Sequence, residues 1–330
     1  MENVTHSLTG IMLARAGLDR FTPQATWILL LAANAPDIDI VTAFGGSLNY
    51  LHYHRHLTHS LLVMPLLPLL CVGLVRLVSR KPVSWKGGYF IGLIGVASHL
   101  LLDWTNIYGI RMLLPFSERW LRLDITGVVD LWILATLLFA LIAPMLARLV
   151  NAEIGATGKQ SGGAKRGFAI FALCFLVFYD GARFFAHARA VDLLDAHIYS
   201  GSSPQRVAAF PTANILHWNG LVETADAFSF QDVNLLADFE PVDRPLYKPE
   251  SSPAMESARR DPVVREFLRF SQFPYWQQTP ADDPQGATRV EVMDLRFGDP
   301  QSPGFVCTAI VDARQRVVQS SFEFGRARPR

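Results

Sequence analysis

The sequence predicts an α-helical, polytopic membrane domain followed by a small soluble α+β domain. Of its 330 residues, 50% are hydrophobic and only 18% are charged, which is too apolar for an ordinary soluble protein. Long apolar runs are concentrated before residue 190, and short alternating runs follow it. We therefore predict a membrane domain over residues 1–190 and a soluble domain over residues 191–330.

Four apolar runs approach the length that a membrane-crossing helix needs, which is roughly 20 residues. They cover residues 61–78, 88–104, 127–147 and 168–188. Two shorter runs, residues 4–19 and 24–35, would be short or tilted spans, or re-entrant helices. Pro36 disfavours helix at the residue before it, so the second short run should end at Ala35.

Lysine and arginine in short loops predict the orientation of the spans. The basic residues are Arg76, Arg80, Lys81 and Lys86 between the first two long runs, and Arg148, Lys159, Lys165 and Arg166 between the last two. Such loops remain in the cytoplasm. We therefore expect a multi-pass protein of the cell's inner membrane, with loop 105–126 and the soluble domain on the extracytoplasmic side.

The soluble domain carries signals for strands and for one helix. Asn219-Gly220 between two short apolar runs predicts a hairpin turn, and further strands are expected at 288–297, 305–312 and 316–324. Asp261-Pro262 is typical of the cap and first turn of an amphipathic helix. These elements together predict an α+β domain.

The cysteines and the basic residues give no signal for a disulfide framework or for nucleic-acid binding. Of the three cysteines, Cys71 and Cys174 lie in apolar runs and Cys307 stands alone in the soluble domain, so no disulfide framework is expected. The net charge of +1 says nothing about nucleic acid, but no basic run suggests a surface for its phosphates, so no nucleic-acid partner is expected.

Histidine and aspartate recur where the predicted segments meet one membrane face. His99 and Asp103 are four apart and share one helical face. Four separate elements contribute the set: His6, Asp37, Asp39, His54, His59, His99 and Asp103. Imidazole and carboxylate ligands in this number suit zinc, manganese or iron, and one or two ions would fit. Arg55, next to His54, could hold an anionic group of a substrate.

Each piece also has a structural interpretation. His6 could be an interfacial polar residue, and Asp37 with Asp39 could form a turn after a helix. Other polar residues receive lesser roles: Asp124 or Asp130 as a further ligand, Asp180 with Arg183 as an ion pair, His52 and His56 as surface groups or supports of the ligands, and His187 and His217 as structural residues.

These motifs resemble the YdjM-like family of membrane-bound metal-dependent hydrolases. The family pattern reads here as His6; Pro36, Asp37 and Asp39; His54, Arg55, Thr58, His59 and Ser60; and His99 with Asp103. The resemblance is good over residues 1–130 and also takes in Asn106–Gly109 and Leu114–Ser117. It implies a metal-dependent hydrolase, and the order and spacing of four elements make it specific.

The function that follows is hydrolysis of an ester or phosphoester of a lipid-linked substrate by metal-activated water. Asp39 or Asp103 would act as general base and Arg55 would orient the anionic group. Membrane lipids would surround the site, and a lipid-linked phosphoester would be the substrate. The alternative is a non-catalytic metal-binding membrane protein, either with a structural metal site or as a component of a transporter.

Overall fold

The computed structural model of the chain describes residues 1–153 and 163–324. Lys159, one of the residues that predict orientation, lies outside this part. The chain forms two compact units. The first consists of Met1–Asp39, Arg55–Arg189 and Phe210–Trp218, and the second of Ile40–His54, Ala190–Ala209 and Asn219–Arg330.

The described residues form nine α-helices, and most of these lie in the first unit. In chain order the α-helices are α1 (Asn3–Arg15), α2 (Ala25–Ala32), α3 (Ser47–Tyr53), α4 (Leu67–Ser79), α5 (Trp85–Thr105), α6 (Leu131–Glu153), α7 (Gly163–Asp195), α8 (Pro253–Arg260) and α9 (Pro262–Phe270). Short 3-10 helices cover Leu18–Phe21, Ala35–Gly45, Leu57–His59 and Leu295–Phe297. Within the described residues, α5, α6 and α7 are long and apolar enough to cross a membrane. The bent pair of α2 and Ala35–Gly45 would make a fourth crossing.

The predicted span at 61–78 is wrong in its extent. Only Leu67–Ser79 is helical, which at 13 residues is too short to meet the length of a crossing helix. The Leu61 N–H instead donates to the carbonyl of Met112, 2.9 Å away, and residues 61–66 form turns. Arg80, with φ of +53°, ends the helix. The apolar run is continuous through this break, so hydropathy does not reveal it.

Two glycines let α1 and α5 pack closely against α2. A Cβ atom at Gly10 would lie 2.7 Å from the carbonyl oxygen of Leu29, and one at Gly95 would lie 2.9 Å from the Cβ of Ala32. Small residues at such contacts allow the backbones of membrane helices to approach. His6 lies four residues before Gly10, and His99 lies four residues after Gly95. The close packing therefore positions both histidines beside the end of α2.

The other end of these helices gathers the basic loops. The Arg166 Nε donates to the carbonyl of Ala16 over 3.1 Å, and the Ser84 N–H donates to the hydroxyl of Thr22 over 3.2 Å. The turn after α1, the loop before α5 and the start of α7 thus lie at one end of the first unit.

The described strands form two four-stranded sheets and a short hairpin, and most of their residues belong to the second unit. The strands are β1 (Arg206–Pro211), β2 (His217–Glu223), β3 (Ala227–Asn234), β4 (Leu246–Tyr247), β5 (Pro274–Ala281), β6 (Ala287–Asp294), β7 (Gly298–Asp299), β8 (Ser302–Pro303), β9 (Phe305–Val311) and β10 (Val317–Phe324). Sheet orders are β1-β2-β3-β4 and β10-β9-β6-β5, with β7 pairing β8. The second sheet is antiparallel, with Val292 opposite both Cys307 and Trp276. The fold class is therefore the predicted one, a helical region followed by an α/β domain.

In the second unit, the helix predicted from the sequence forms, whereas the predicted hairpin turn does not. Asp261 caps α9 by accepting from the N–H groups of Val263 and Val264, as predicted. The turn expected at Asn219-Gly220 is wrong, because β2 runs straight through both residues. A Cβ atom at Gly220 would lie 2.8 Å from a methyl of Leu194. Glycine is needed here for packing and not for a turn.

The predicted ion pair between Asp180 and Arg183 does not form among the described residues. The Arg183 Nε donates to the carbonyl of Ile125 at 2.8 Å, and its guanidinium lies 4.4 Å from the ring centre of Trp218. Arg183 therefore fixes the backbone between α5 and α6 to α7.

Candidate metal centre

Four elements of the first unit bring buried ionisable side chains together. His6 lies on α1, and Asp37 and Asp39 lie on the 3-10 helix that follows α2. His59 ends the short helix Leu57–His59, and His99 and Asp103 project from α5. All six are buried, and four of them are completely shielded from solvent. The first unit thus brings together the six predicted ligands that it contains.

The centre of this cluster consists of one atom each from Asp37, His59, His99 and Asp103. The two Nε2 atoms of the histidines are 3.2 Å apart. The Asp37 Oδ1 lies 3.4 Å from the Nε2 of His59 and 3.6 Å from that of His99. The Asp103 Oδ2 lies 3.5 Å from each of them. Zinc bonds of about 2.0–2.2 Å place two ligands of a tetrahedral site roughly 3.3–3.6 Å apart. The observed distances fit that spacing.

In His59 and His99, the contact made by Nδ1 leaves the lone pair of Nε2 directed into the cluster. The Nδ1 of His99 lies 2.7 Å from the carbonyl oxygen of Ala33, which can only accept, so Nδ1 carries the hydrogen. The Nδ1 of His59 lies 3.1 Å from the hydroxyl oxygen of Thr58, which donates to Asp39, and 3.3 Å from the Oδ2 of Asp39 itself. A carboxylate or carbonyl behind the ring is the usual support of a metal-binding histidine, because it fixes the tautomer. Both rings are therefore arranged as metal ligands.

Asp39 is held in its supporting position by two neighbours. Its Oδ2 accepts from the N–H of Arg55 at 2.8 Å and from the hydroxyl of Thr58 at 3.2 Å. The Arg55 backbone has φ of +54°, a value unusual for a residue with a side chain. This conformation lets one residue present its N–H to Asp39 and its guanidinium to Asp103.

Asp103 uses its two oxygens differently. Oδ1 accepts from Nη2 of Arg55 at 3.0 Å and from Nδ2 of Asn106 at 3.3 Å, and it contacts the amino group of Met1. Oδ2 faces the two histidine Nε2 atoms and is buried without a hydrogen-bond partner in the described structure. A buried carboxylate oxygen without a partner is costly unless a cation approaches it. The donor set therefore fits a divalent cation.

His6 stands at the edge of the cluster. Its ring stacks on that of His99 with centroids 3.8 Å apart, and its Nε2 lies 3.4 Å from Oδ1 of Asp103. Neither ring nitrogen has a hydrogen-bond partner in the described structure, although the residue is fully buried. Leaving such a group unsatisfied costs about 1–3 kcal/mol. This cost favours a bound partner at His6, as the sequence predicts.

The match to known families covers most of the chain. Residues 1–190 match the model of the YdjM inner membrane protein family. The chain belongs to this family. Residues 253–326 match the YfhP C-terminal alpha/beta plait domain, which agrees with the antiparallel sheet and helices found there. The protein is thus a membrane protein with a buried cluster that could hold a metal ion.

A curated relative shares both parts. The uncharacterized protein YfhP of Bacillus subtilis (strain 168) is 26% identical over 311 residues, which cover 90% of this chain and 87% of that protein. No solved structure matches the chain.

The remaining predicted residues of this YdjM family member make contacts within their own units. His54 ends the segment Ile40–His54 of the second unit, where its ring stacks on Tyr50 with centroids 4.5 Å apart. Its role as a ligand stays a prediction. Nδ1 of His52 pairs with Glu266 at 2.7 Å. Asp124 pairs with Arg122, and Asp130 accepts from the first N–H groups of α6 and from the Tyr179 hydroxyl.

Asn106 and the carbonyl of Ala33 are parts of the site that the sequence did not single out for a role. Asn106 accepts from Nη1 of Arg55 at 3.1 Å and from the N–H of Tyr108 at 2.9 Å, while the carbonyl of Gly109 accepts from the same Nη1 at 2.9 Å. The Arg55 guanidinium therefore ties the start of loop 106–126 to Asp103. The position of Asn106, three residues after Asp103 on a helix end, was the available signal.

Proposed function

We propose that the protein is a membrane-bound, metal-dependent hydrolase that cleaves an ester or phosphoester of a lipid-linked substrate. The observation that carries this proposal is the convergence of two histidine nitrogens and two carboxylate oxygens, within 4.8 Å of one another, in a buried site. Asp37, His59, His99 and Asp103 would hold the ion, with His6 beside them. Zinc suits this set best, and manganese or iron are the other candidates.

A bound divalent ion supplies Lewis acidity and lowers the pKa of water towards neutrality. The remaining residues position these ligands. Asp39 orients the His59 ring, and Arg55 holds Oδ1 of Asp103 while leaving Oδ2 directed at the cluster. These contacts favour a supporting role for Asp39 and a ligand role for Asp103. That Asp39 or Asp103 acts as general base stays a prediction. The contact of Arg55 with an anionic group of the substrate stays a prediction as well.

We also propose a multi-pass topology with the basic loops in the cytoplasm. The contacts of Arg166 with Ala16 and of Ser84 with Thr22 support this topology, because they gather the basic loops at one end of the first unit. The metal centre and the domain of residues 191–330 would then face the extracytoplasmic side. A reporter fused after residue 324 should be exposed outside the cytoplasm, and cytoplasmic exposure would contradict this topology.

One observation favours a second candidate, a structural metal site. Four protein ligands satisfy a tetrahedral ion completely, whereas catalytic zinc sites keep one position open. A structural site would bind metal and stabilise the helices without turnover. Among the described residues, no particular contact supports the alternative of a transporter component.

Hydrolysis by the purified, zinc-loaded protein separates these candidates. A panel of phospholipids and phosphorylated long-chain alcohols in mixed micelles should include a substrate whose turnover is lost in Asp103→Asn. The control His52→Ala removes a histidine of the second unit and should keep full turnover. Metal binding without turnover of any phosphoester or carboxylic ester in the panel would favour the structural site.

A further inference from the structure

Buried ligands of the metal centre alternate along the chain with exposed apolar side chains. These neighbours are Val4 near His6, Ile38 between Asp37 and Asp39, Leu57 and Leu61 on either side of His59, and Leu101 between His99 and Asp103. Ile38 is 61% exposed and Leu101 is 58% exposed. Each element that delivers a ligand therefore turns a large apolar side chain outwards at the same level. Such a surface is favourable in hydrocarbon and costly in water.

The loop beyond α5 extends this apolar surface. Leu113 and Phe116 are exposed, Phe116 to 86%, whereas Leu114 between them is buried. The N–H of Leu61 donates to the carbonyl of Met112, so the chain next to His59 and this loop lie side by side. We name Leu57, Leu61, Leu62, Leu113 and Phe116 the apolar rim. Exposed apolar patches of this kind mark binding surfaces for lipid or protein.

The backbone fixes the loop at the ends of two candidate membrane helices. It connects α5 to α6, and the N–H groups of Leu123 and Ile125 donate to the carbonyls of Trp104 and Thr105, each over 2.9 Å. The exposed side chains of the loop are therefore held where the helices leave the hydrocarbon. Phenylalanine and leucine side chains of interfacial segments reach about 5–10 Å into the boundary between head groups and acyl chains.

We infer that the apolar rim lies in the bilayer and takes the hydrocarbon chain of a membrane lipid, whose polar head group then reaches the metal centre. The part played by the head group rests on the proposed function, whereas contact between rim and lipid does not. We favour lipid over a second protein as the occupant. The apolar rim continues the exposed apolar surface of Ile38 and Leu101, which lie beside the ligands on candidate membrane helices.

Photochemical cross-linking in vesicles tests the inference. A photoreactive phenylalanine analogue replaces Phe116 in the full-length protein, which is reconstituted with phosphatidylethanolamine and phosphatidylglycerol. Phe178, exposed on α7, is the matched position within a membrane helix, and Leu236 is an exposed position of the second unit. Mass spectrometry should find phospholipid adducts at Phe116 with a yield near that at Phe178 and several-fold above that at Leu236.

Two results would overturn the inference. One is a lipid yield at Phe116 no higher than that at Leu236, and the other is a product at Phe116 that joins two protein chains. The same experiment in Asp103→Ala separates the two proposals, because adducts should persist at Phe116 although the metal centre is damaged. Adducts with no hydrolysis of any lipid by the intact protein would support the rim and contradict the proposed function.

Discussion

Nε2 of His59 and Nε2 of His99 face each other at 3.2 Å in the interior of the protein. Each ring has an acceptor beside its Nδ1: the Thr58 hydroxyl and Asp39 for His59, and the carbonyl of Ala33 for His99. Two lone pairs are thus directed towards one another, with carboxylate oxygens of Asp37 and Asp103 beside them. This arrangement is unfavourable without a cation and favourable with one.

The support of His59 by Asp39 predicts a measurable loss of metal affinity. Asp39→Asn keeps an acceptor for the N–H of Arg55 but removes the negative charge behind the His59 ring. Loss of such a support lowers metal affinity by about 10–100-fold. Competition with a zinc chelator measures the affinity, and Asp19→Asn, exposed at the other end of the unit, is the control. Equal zinc affinity in the wild type, Asp39→Asn and Asp19→Asn would contradict a supporting role of Asp39.

Packing at Gly95 predicts that helix spacing controls the metal centre. Gly95→Leu places a side chain where even a Cβ atom lies 2.9 Å from Ala32, so α5 must move away from α2. Overpacking of this kind costs about 1–3 kcal/mol, and the movement of α5 draws His99 away from the carbonyl of Ala33. We expect weaker zinc binding and a lower melting temperature. The control is Gly181→Leu on α7, where no atom lies within 4 Å of the added Cβ, and it should change neither property. A wild-type zinc affinity in Gly95→Leu would contradict this account of the packing.

Glu223 predicts a pH dependence in the second unit. Burial alone would raise the pKa of Glu223, but hydrogen bonds from Lys248 and Arg206 outweigh it and hold the pKa below the ordinary value of 4.5. Because the folded pKa is the lower one, the stabilisation is complete above pH 4.5 and is lost as the pH falls through the folded pKa. These partly exposed ion pairs contribute about 1 kcal/mol to the free energy of unfolding.

Hydrogen exchange of β2 and β3 in the full-length protein measures this stabilisation. The protection of these strands should fall as the pH is lowered below 4.5, and Glu223→Gln should remove that dependence. Glu240→Gln, an exposed change in a loop of the same unit, should retain it. Identical pH profiles for the wild type and Glu223→Gln would contradict the assignment.

The sequence indicated which ionisable residues come together more accurately than it indicated the segments that carry them. His99 and Asp103 could be paired because helical spacing is local, and the four motifs carried the family resemblance. The carbonyl of Ala33 could not be predicted, since the backbone carries no residue-specific signal. The short α4 and the strand through Asn219-Gly220 depend on contacts with Met112 and Leu194, which are distant in the chain. Local pattern therefore fails where a tertiary contact decides the backbone.

Metal content is the most direct test of the central claim. The protein is purified without chelators, dialysed against zinc and then against buffer, and the ions retained per chain are counted for the wild type, His99→Ala and His52→Ala. We predict that the wild type and His52→Ala retain at least about one ion per chain and that His99→Ala retains far less. Equal metal content in all three proteins, whether negligible or stoichiometric, would contradict a metal centre at His99.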